Sequence, residues 1–470
     1  MRPGAAEPGF LTERVVIVGG GFCGAVVALH LARAAGQAVE IDIVEPRPLL
    51  GGGVAYSAPD TAHRINVPAT RMSAFSEDLG HFDRWLRDTD ILARDPDAAV
   101  EGGYLFPGRL EFGRYLDGLV RTEAAALAGR LTHRQTRAVA IDAGGERILI
   151  RLESGEILEA DRVVIALSHP PPGLPPRLRV LKDDPRLIEN PWRAGALDTI
   201  PRDGVVLIVG TGLTMADIVA SLAKAGHRGP ITAFSRRGLL PRGHALEATD
   251  LIGDFATEPS RTALDLLVRI RAEVAKAVSQ GRTWQAVLDA VRRDGGKVWG
   301  ALPLAEKRRL LRHLRPFWDV HRYRIAPQPE AVLRNWQAQG RLDVITASLS
   351  EVEAGHDAVR VALRRRKDGK TLDLPVAAII LATGPAHDTL IEQTPALASL
   401  AAAGRLEADP LGLGIAVDPQ SRVLDRAGNP DDRLWVAGPL ARERFGELMG
   451  LPQVLTHAEN VARSLADRIG

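Results

Sequence analysis

The stretch from Arg14 to Glu45 constrains the fold more than any other part of the chain. Val15-Val16-Ile17-Val18 is apolar and β-branched, the composition of a buried strand. Gly19-Gly20-Gly21-Phe22-Cys23-Gly24 follows in the pattern G-x-G-x-x-G. Ala25 to Ala35 is rich in Ala, Leu and Val without a breaker, which predicts a helix that Gly36 ends. Val39 to Val44 predicts a second strand, with Glu45 at its end. Each part has a task in holding a dinucleotide: Gly19 for the tight turn, Gly21 for close approach to a pyrophosphate, Gly24 for helix–strand packing. The helix N-terminus presents free amides and partial positive charge to phosphates, and Glu45 can accept from ribose hydroxyls. A glycine motif alone is weak. Here the strand, the helix and the acid all agree with it, where an ordinary glycine turn would need none of them.

The pattern recurs. Val205 to Val209 predicts a strand, Gly210-Thr211-Gly212-Leu213-Thr214-Met215 a turn, and Ile218 to Ala225 a helix. Met215 stands where the third glycine is expected, which predicts looser or shifted helix packing. After the next strand, Ile231 to Phe234, Ser235-Arg236-Arg237-Gly238 replaces the acid of the first unit. Guanidinium groups bind a 2′-phosphate that a carboxylate would repel, so Gly210, Gly212, Leu213, Thr214, Ser235, Arg236 and Arg237 form a site expected to prefer NADPH, with NADH possible. Two solvated arginines on a turn are the competing reading.

The 470 residues suit two to four domains. Lys and Arg total 60 against 58 Asp and Glu, which argues against nucleic acid or a membrane surface as main partner. Cys23 is the single cysteine, so a disulfide within the chain and a redox dithiol are both excluded, and it is expected to pack as a small hydrophobe. No metal-ligand cluster stands out. Residues 1–13 read as a loose tail, and no apolar run is long enough to span a membrane. A cytoplasmic protein is expected.

Gly51-Gly52-Gly53-Val54-Ala55-Tyr56-Ser57 suits a loop running over the rest of a long cofactor, and His63 to Met72 is either a plain loop or a wall for a flavin ring. Phe82–Arg87 and Arg109–Leu127 are expected helices, and Leu131 to Asp161 an antiparallel hairpin layer. Pro170 to Pro176 is a connector. Residues 260–340 read as helical with core tryptophans. Arg315 to Arg324 is dense in donors beside aromatics, and reads either as a pocket wall or, as favoured here, an exposed helix end. Leu342 to Arg366 alternates, Ala377 to Pro385 ends the second unit, Arg433 to Pro439 is a strand ending in Gly438, and Gln453 to Ile469 is a closing helix. The expected fold is α/β: two Rossmann-like dinucleotide-binding domains with antiparallel hairpin layers and a helical insertion at about 260–340. The expected division is 1–198 and 375–470 for the first domain and 199–374 for the second.

The segments Gly19–Gly24, Gly52–Ser57, Asn66–Phe75, Gly210–Asp217, Ser235–Gly238 and Phe317–Pro327 resemble a family of two-dinucleotide-domain flavoproteins. FAD-dependent urate hydroxylase and the nitrosuccinate-forming aspartate N-monooxygenase typify it. The resemblance implies FAD on Gly19, Gly20, Gly21, Phe22, Cys23, Gly24, Glu45, Pro46, Arg47, Val54, Ala55, Tyr56, Asn66, Val67, Met72, Gly438 and Pro439. The chain departs from the broad pattern at Gly438-Pro439, where a Gly-Asp is common. The resemblance implies an NAD(P)H-driven monooxygenase acting on a small-molecule substrate with O2 through a C4a-hydroperoxyflavin. The target is an amine nitrogen or a urate-like carbon of a polar or anionic substrate, with Arg71, His321 and Arg324 as candidate substrate residues. A non-oxygenating flavin reductase and a non-catalytic flavin-binding protein stand as alternatives.

Overall fold

The computed structural model describes residues 12–168, 170, 172–245, 250–384 and 389–469. Most of the expected N-terminal tail lies outside them, but Glu13 already belongs to the first strand, where it pairs with Arg162 at 2.6 Å.

The β-branched run forms the strand Glu13–Val18, fully buried from Val15 onward. It lies parallel between Val39–Val44 and Arg162–Ile165. Pro430–Val436 extends this sheet in parallel on one side, edged by antiparallel Arg422–Leu424. On the other side Leu131–Arg134 pairs in parallel with Val39–Val44. The expected hairpin layer is therefore smaller than its alternation suggested: only Ala138–Asp142, Ile148–Leu152 and Ile157–Ala160 form the antiparallel meander. Helix Phe22–Ala35 covers the first sheet and packs against Arg109–Ala126 and the closing helix Gln453–Ile469.

The second sheet repeats the plan. Leu342–Ala354, Ile231–Ser235, Val206–Val209, Ala378–Leu381 and Leu187–Ile188 run parallel in that order. Leu342–Ala354 also continues into an antiparallel meander with Val359–Arg365 and Thr371–Val376. Strand pairing thus runs this sheet from 187 to 381, so the expected limits at 198/199 and 374/375 both fall inside it. Of the expected strand end Ala377–Pro385, Pro385 lies outside the described residues. Met215 is fully buried in the core beneath helix Leu213–Lys224, so the missing glycine is answered by packed side-chain volume.

The helical insertion is the crossover between Ile231–Ser235 and Leu342–Ala354, with helices Ala263–Ser279, Trp284–Arg293, Gly295–Ala301, Leu304–His313, Arg315–Arg322 and Pro327–Ala338. Thr262 caps the first by accepting from the Asp265 amide at 3.1 Å. The last packs on Leu213–Lys224, with Trp336 in the second domain's core. No described helix is long and apolar enough to cross a membrane.

A polar seam joins the domains. Arg109 lies 2.8 Å from Asp217, and both are buried. Burial outweighs the guanidinium and pushes the Asp217 carboxyl up to about 6. Nearby, Ser221 donates to Asp60 at 2.6 Å, and Lys224 donates to the other carboxylate oxygen at 2.9 Å. The single Ser221 proton is thereby used, so His63 Nε2, 2.9 Å away, donates to Ser221.

Because Asp217 binds its proton more tightly folded than unfolded, the stability it contributes is present at low pH and is lost as pH rises from its ordinary value of 3.8 through about 6. Measured by chemical denaturation, the native protein should gain about 1 kcal/mol over Asp217→Asn between pH 7 and pH 5. A difference that stays flat would show that Asp217 titrates normally.

Candidate active site

Gly24 sits so close to the first strand that an added Cβ would lie 1.9 Å from the Gly19 carbonyl oxygen. That contact brings the N-terminus of helix Phe22–Ala35 up to the strand end. No side chain caps the helix and no acid lies in its first turn, so its leading amides face outward as an anion site. The backbones of Gly21 and Gly53 face each other there: a Cβ on Gly53 would meet the Gly21 Cα at 3.0 Å. Glu45 is buried, accepts from the Gly20 amide at 3.0 Å and from the Arg47 amide and guanidinium at 3.0 and 2.9 Å. A carboxylate has about four acceptor positions, so one stays open for a ribose hydroxyl. These residues fit the adenosine half of FAD. Pro46 is half-buried beside them, while Val54 is 46% exposed on the loop's outer side.

The loop continues into a cleft of about 1100 Å³. Ala55, Tyr56, Asn66, Val67, Arg71 and Met72 line one wall. Leu213, the first residue of the second nucleotide helix, lines another. Residues 450–453, leading into the closing helix, line the cleft as well. Of the expected loop His63–Met72, Ile65, Asn66, Val67, Pro68, Arg71 and Met72 line this cleft.

Gly438 has φ +95°, and an added Cβ would meet Cys23 Sγ at 2.3 Å. Its amide donates to His457 Nδ1 at 3.1 Å, so the His457 proton sits on Nε2, directed at Ser421 Oγ 3.0 Å away. Burial pulls His457 down to about 4 and pushes the Cys23 thiol up to about 12, so both are neutral at pH 7. Cys23 is packing, as the sequence suggests. Pro439 opens the short turn behind it, and neither Gly438 nor Pro439 lines the cleft.

In the second unit, helix Leu213–Lys224 is also uncapped, and a Cβ on Gly212 would meet nothing within 4 Å, leaving open space over the turn. Ser235 Oγ accepts from the Gly238 amide at 2.9 Å and donates to Thr211 Oγ1 at 2.9 Å, whose own proton goes to the Leu239 carbonyl. This network fixes the turn that carries Arg236 and Arg237, both exposed. Arg237 lies over the Phe317 ring at 4.9 Å, and Arg366 donates to the Arg236 carbonyl at 3.1 Å. The third arginine escaped sequence reading because it arrives from the distant strand meander.

The insertion supplies the remaining wall. Asp289 accepts two hydrogen bonds from Arg324, at 3.0 and 2.8 Å, and lies 3.6 Å from Arg71 and 3.9 Å from Arg292. Arg71 and Arg324, from separate domains, therefore converge on one carboxylate. The surrounding guanidinium groups hold Asp289 below its ordinary range despite burial. Burial and Arg322 lower Arg292 to about 9, still cationic at pH 7. His244, which donates to the Asn66 carbonyl at 3.0 Å, is pulled down to about 4 by burial and is neutral. His321 does not join this group. Its Nδ1 meets the Phe317 carbonyl at 2.7 Å, and its ring packs edge-on to Trp284, whose indole Arg324 also approaches. The Arg315–Arg324 segment is a cavity wall, not the exposed helix end expected. Arg322, Tyr323 and Arg324 line the cleft, and Arg322 is buried against Glu447.

A family model described as FAD-NAD(P)-binding matches residues 16–170. No curated protein matches by sequence. Among solved structures, an ornithine hydroxylase from Pseudomonas aeruginosa is 16% identical with a TM-score of 0.65, covering 98% of this chain and 100% of its own. An L-lysine 6-monooxygenase from Pseudomonas syringae is 18% identical with a TM-score of 0.63, covering 97% and 99%. An ornithine N-hydroxylase from Kutzneria sp. 744, described with reduced FAD, NADP+ and L-ornithine, is 19% identical with a TM-score of 0.61, covering 98% and 100%. These likenesses establish the two-dinucleotide-domain flavoprotein fold. Replacing Arg236 and Arg237 together by Ala should raise the KM for NADPH by about 100-fold and that for NADH by less than about threefold in flavin-reduction assays. Equal effects on both would overturn the expectation that these arginines select a 2′-phosphate.

Proposed function

We propose that the chain is an FAD-dependent monooxygenase, driven by NADPH, that transfers one atom of O2 to a small polar or anionic substrate. One observation carries the reading: the flavin-side loop, the start of the second nucleotide helix and an arginine-rich wall open on a single cleft. The FAD-NAD(P)-binding match over the first domain and the likeness to amine hydroxylases along the whole chain support it. Bound FAD, once reduced by the nicotinamide, supplies the activation of oxygen.

The chain's own residues do the rest. Gly19 to Gly24, Glu45 and Arg47 hold the adenosine half of FAD. Asn66, Val67 and Met72 face its ring. Gly210, Gly212, Leu213, Thr214 and Ser235 carry NADPH, with Arg236 and Arg237 on its 2′-phosphate. Arg71 and Arg324 orient an anionic group of the substrate, and Asp289 fixes their positions. The apolar cleft residues Leu448 and Leu451 exclude water. Neutral His244 and His457 keep their protons on backbone- and hydroxyl-directed nitrogens, so the positive field of the cleft comes from arginine alone. The likeness to ornithine and lysine hydroxylases favours an amine nitrogen over a urate-like carbon as the atom oxidised. Gly19 to Gly24, Asn66, Val67 and Met72 also lie in the segments that resemble the group typified by urate hydroxylase and aspartate N-monooxygenase. A cytoplasmic setting fits the demand for NADPH.

The test is to supply 18O-labelled oxygen and NADPH with a panel of amino acids, diamines and urate-like rings. Product carrying one heavy oxygen, with peroxide release falling as product rises, is the expected result. If every electron from NADPH emerges as hydrogen peroxide, the reductase alternative replaces this reading. For the accepted substrate, Arg71→Ala should raise KM about tenfold, the loss of one charge-assisted contact, while a shift confined to the NADPH constants would place Arg71 elsewhere.

A further inference from the structure

Beside the flavin cleft, the helical insertion holds a second chamber of about 970 Å³. Ile270 and Val274 from one helix and Leu310 and Leu314 from two later segments face Trp284 and Trp318 across it. Close-packed interiors leave few voids larger than a water molecule, and this volume falls in the range of pockets that hold small molecules. Val278 and Phe317, 56% and 44% exposed, also line it and bring the apolar wall out to solvent.

The inner end is cationic. Arg315 lies 3.3 Å from Asp319, and Arg322 pairs with Glu447. Arg442 is left over. It is 4% exposed, its Nε and Nη2 have no hydrogen-bond partner, and its Nη1 meets only the Met449 sulfur at 3.0 Å. Burial lowers it to about 10, so it stays charged at neutral pH. A buried guanidinium without a partner is strongly unfavourable unless an anion completes it. Asp409 acts on Arg442 only through space, its carboxylate being taken up by the Leu411 and Leu413 amides at 2.8 Å, so no anionic group contacts this guanidinium, which suits a monoanion.

We propose that this chamber binds a single-chain anionic amphiphile, an alkyl carboxylate, with its chain among the apolar side chains of the insertion and its headgroup on Arg442. Nothing in this requires the monooxygenase reading. The wall between the two cavities is shared: Arg322, Tyr323, Glu447 and Met449 line both, so the headgroup sits one side-chain layer from the flavin cleft.

The tryptophans of the wall report occupancy. Decanoate, titrated into the FAD-loaded protein below its micelle-forming concentration, should change the intrinsic fluorescence saturably. Affinity should rise about fourfold for each methylene from octanoate to decanoate. Decanol should bind at least about tenfold more weakly than decanoate. Arg442→Gln should bring decanoate down to the level of decanol and leave decanol unchanged. Val274→Trp, which narrows the chamber, should weaken both acid and alcohol, and this variant carries the test should Arg442→Gln fail to fold. Flavin reduction by NADPH is measured in parallel, so a loss of the electron-transfer reading is scored separately from a loss of binding. An unsaturable signal, an affinity indifferent to chain length, or equal losses for acid and alcohol in Arg442→Gln would each overturn the proposal.

Discussion

The buried contact between Arg109 and Asp217 holds the two nucleotide units in one relation. Such a pair gains little net stability, because desolvation offsets attraction, but either partner alone in the interior is strongly unfavourable. The docked arrangement is therefore the one in which both charges are covered together. Its effect reaches the cleft directly. Arg109 Nε donates to the Arg64 carbonyl at 2.9 Å, and Arg64 precedes Ile65, Asn66, Val67 and Pro68, which line the cleft. Trp192 lies against the same guanidinium at 5.5 Å and against His63 at 5.1 Å. One side chain thus ties the second domain's helix to a loop of the first domain that lines the cleft.

What the sequence makes legible is local. The glycine turn, its helix and Glu45 act within about thirty residues, and each residue type there has one steric or electrostatic reason to be present. The place of Arg236 and Arg237 on the exposed turn after Ile231–Ser235 is legible for the same reason. Alternation, by contrast, does not distinguish a hairpin from a short parallel edge strand, so Leu131–Arg134 reads as part of the meander although it belongs to the first sheet. The strand Ala378–Leu381 is uniformly apolar and carries no mark of which sheet it joins. Residues whose meaning depends on distant partners stay hidden: Arg322 needs Glu447, and Arg366 needs the turn after Ile231–Ser235. The density of arginine and aromatic residues over 315–324 was the available signal. It marks a wall between two cavities, while His321 within it turns to its own helix backbone.

The electrostatics of the cleft follow from which groups burial neutralises. His244 and His457 lose the power to become cationic near pH 7, and Asp217 moves toward neutrality. Asp289 goes the other way, because Arg324 supplies two hydrogen bonds and Arg71 and Arg292 stand nearby. The result is a carboxylate held toward its ionised form among guanidinium groups. A field built from arginine does not switch with pH, which suits binding and orientation.

The insertion's place in the chain explains why it touches so much. It interrupts the crossover that begins with the turn of Arg236 and Arg237, and its first helix starts at Ala263. Phe317 is the meeting point: its ring lies under Arg237, and its exposed side borders the apolar chamber. Four residues further on, His321 packs against Trp284, which Arg324 of the flavin cleft also approaches. A phosphate drawing on Arg237 and a chain lying against Phe317 would compete for, or share, one aromatic face. The turn of Arg236 and Arg237 and the insertion are thus in direct contact through a single ring.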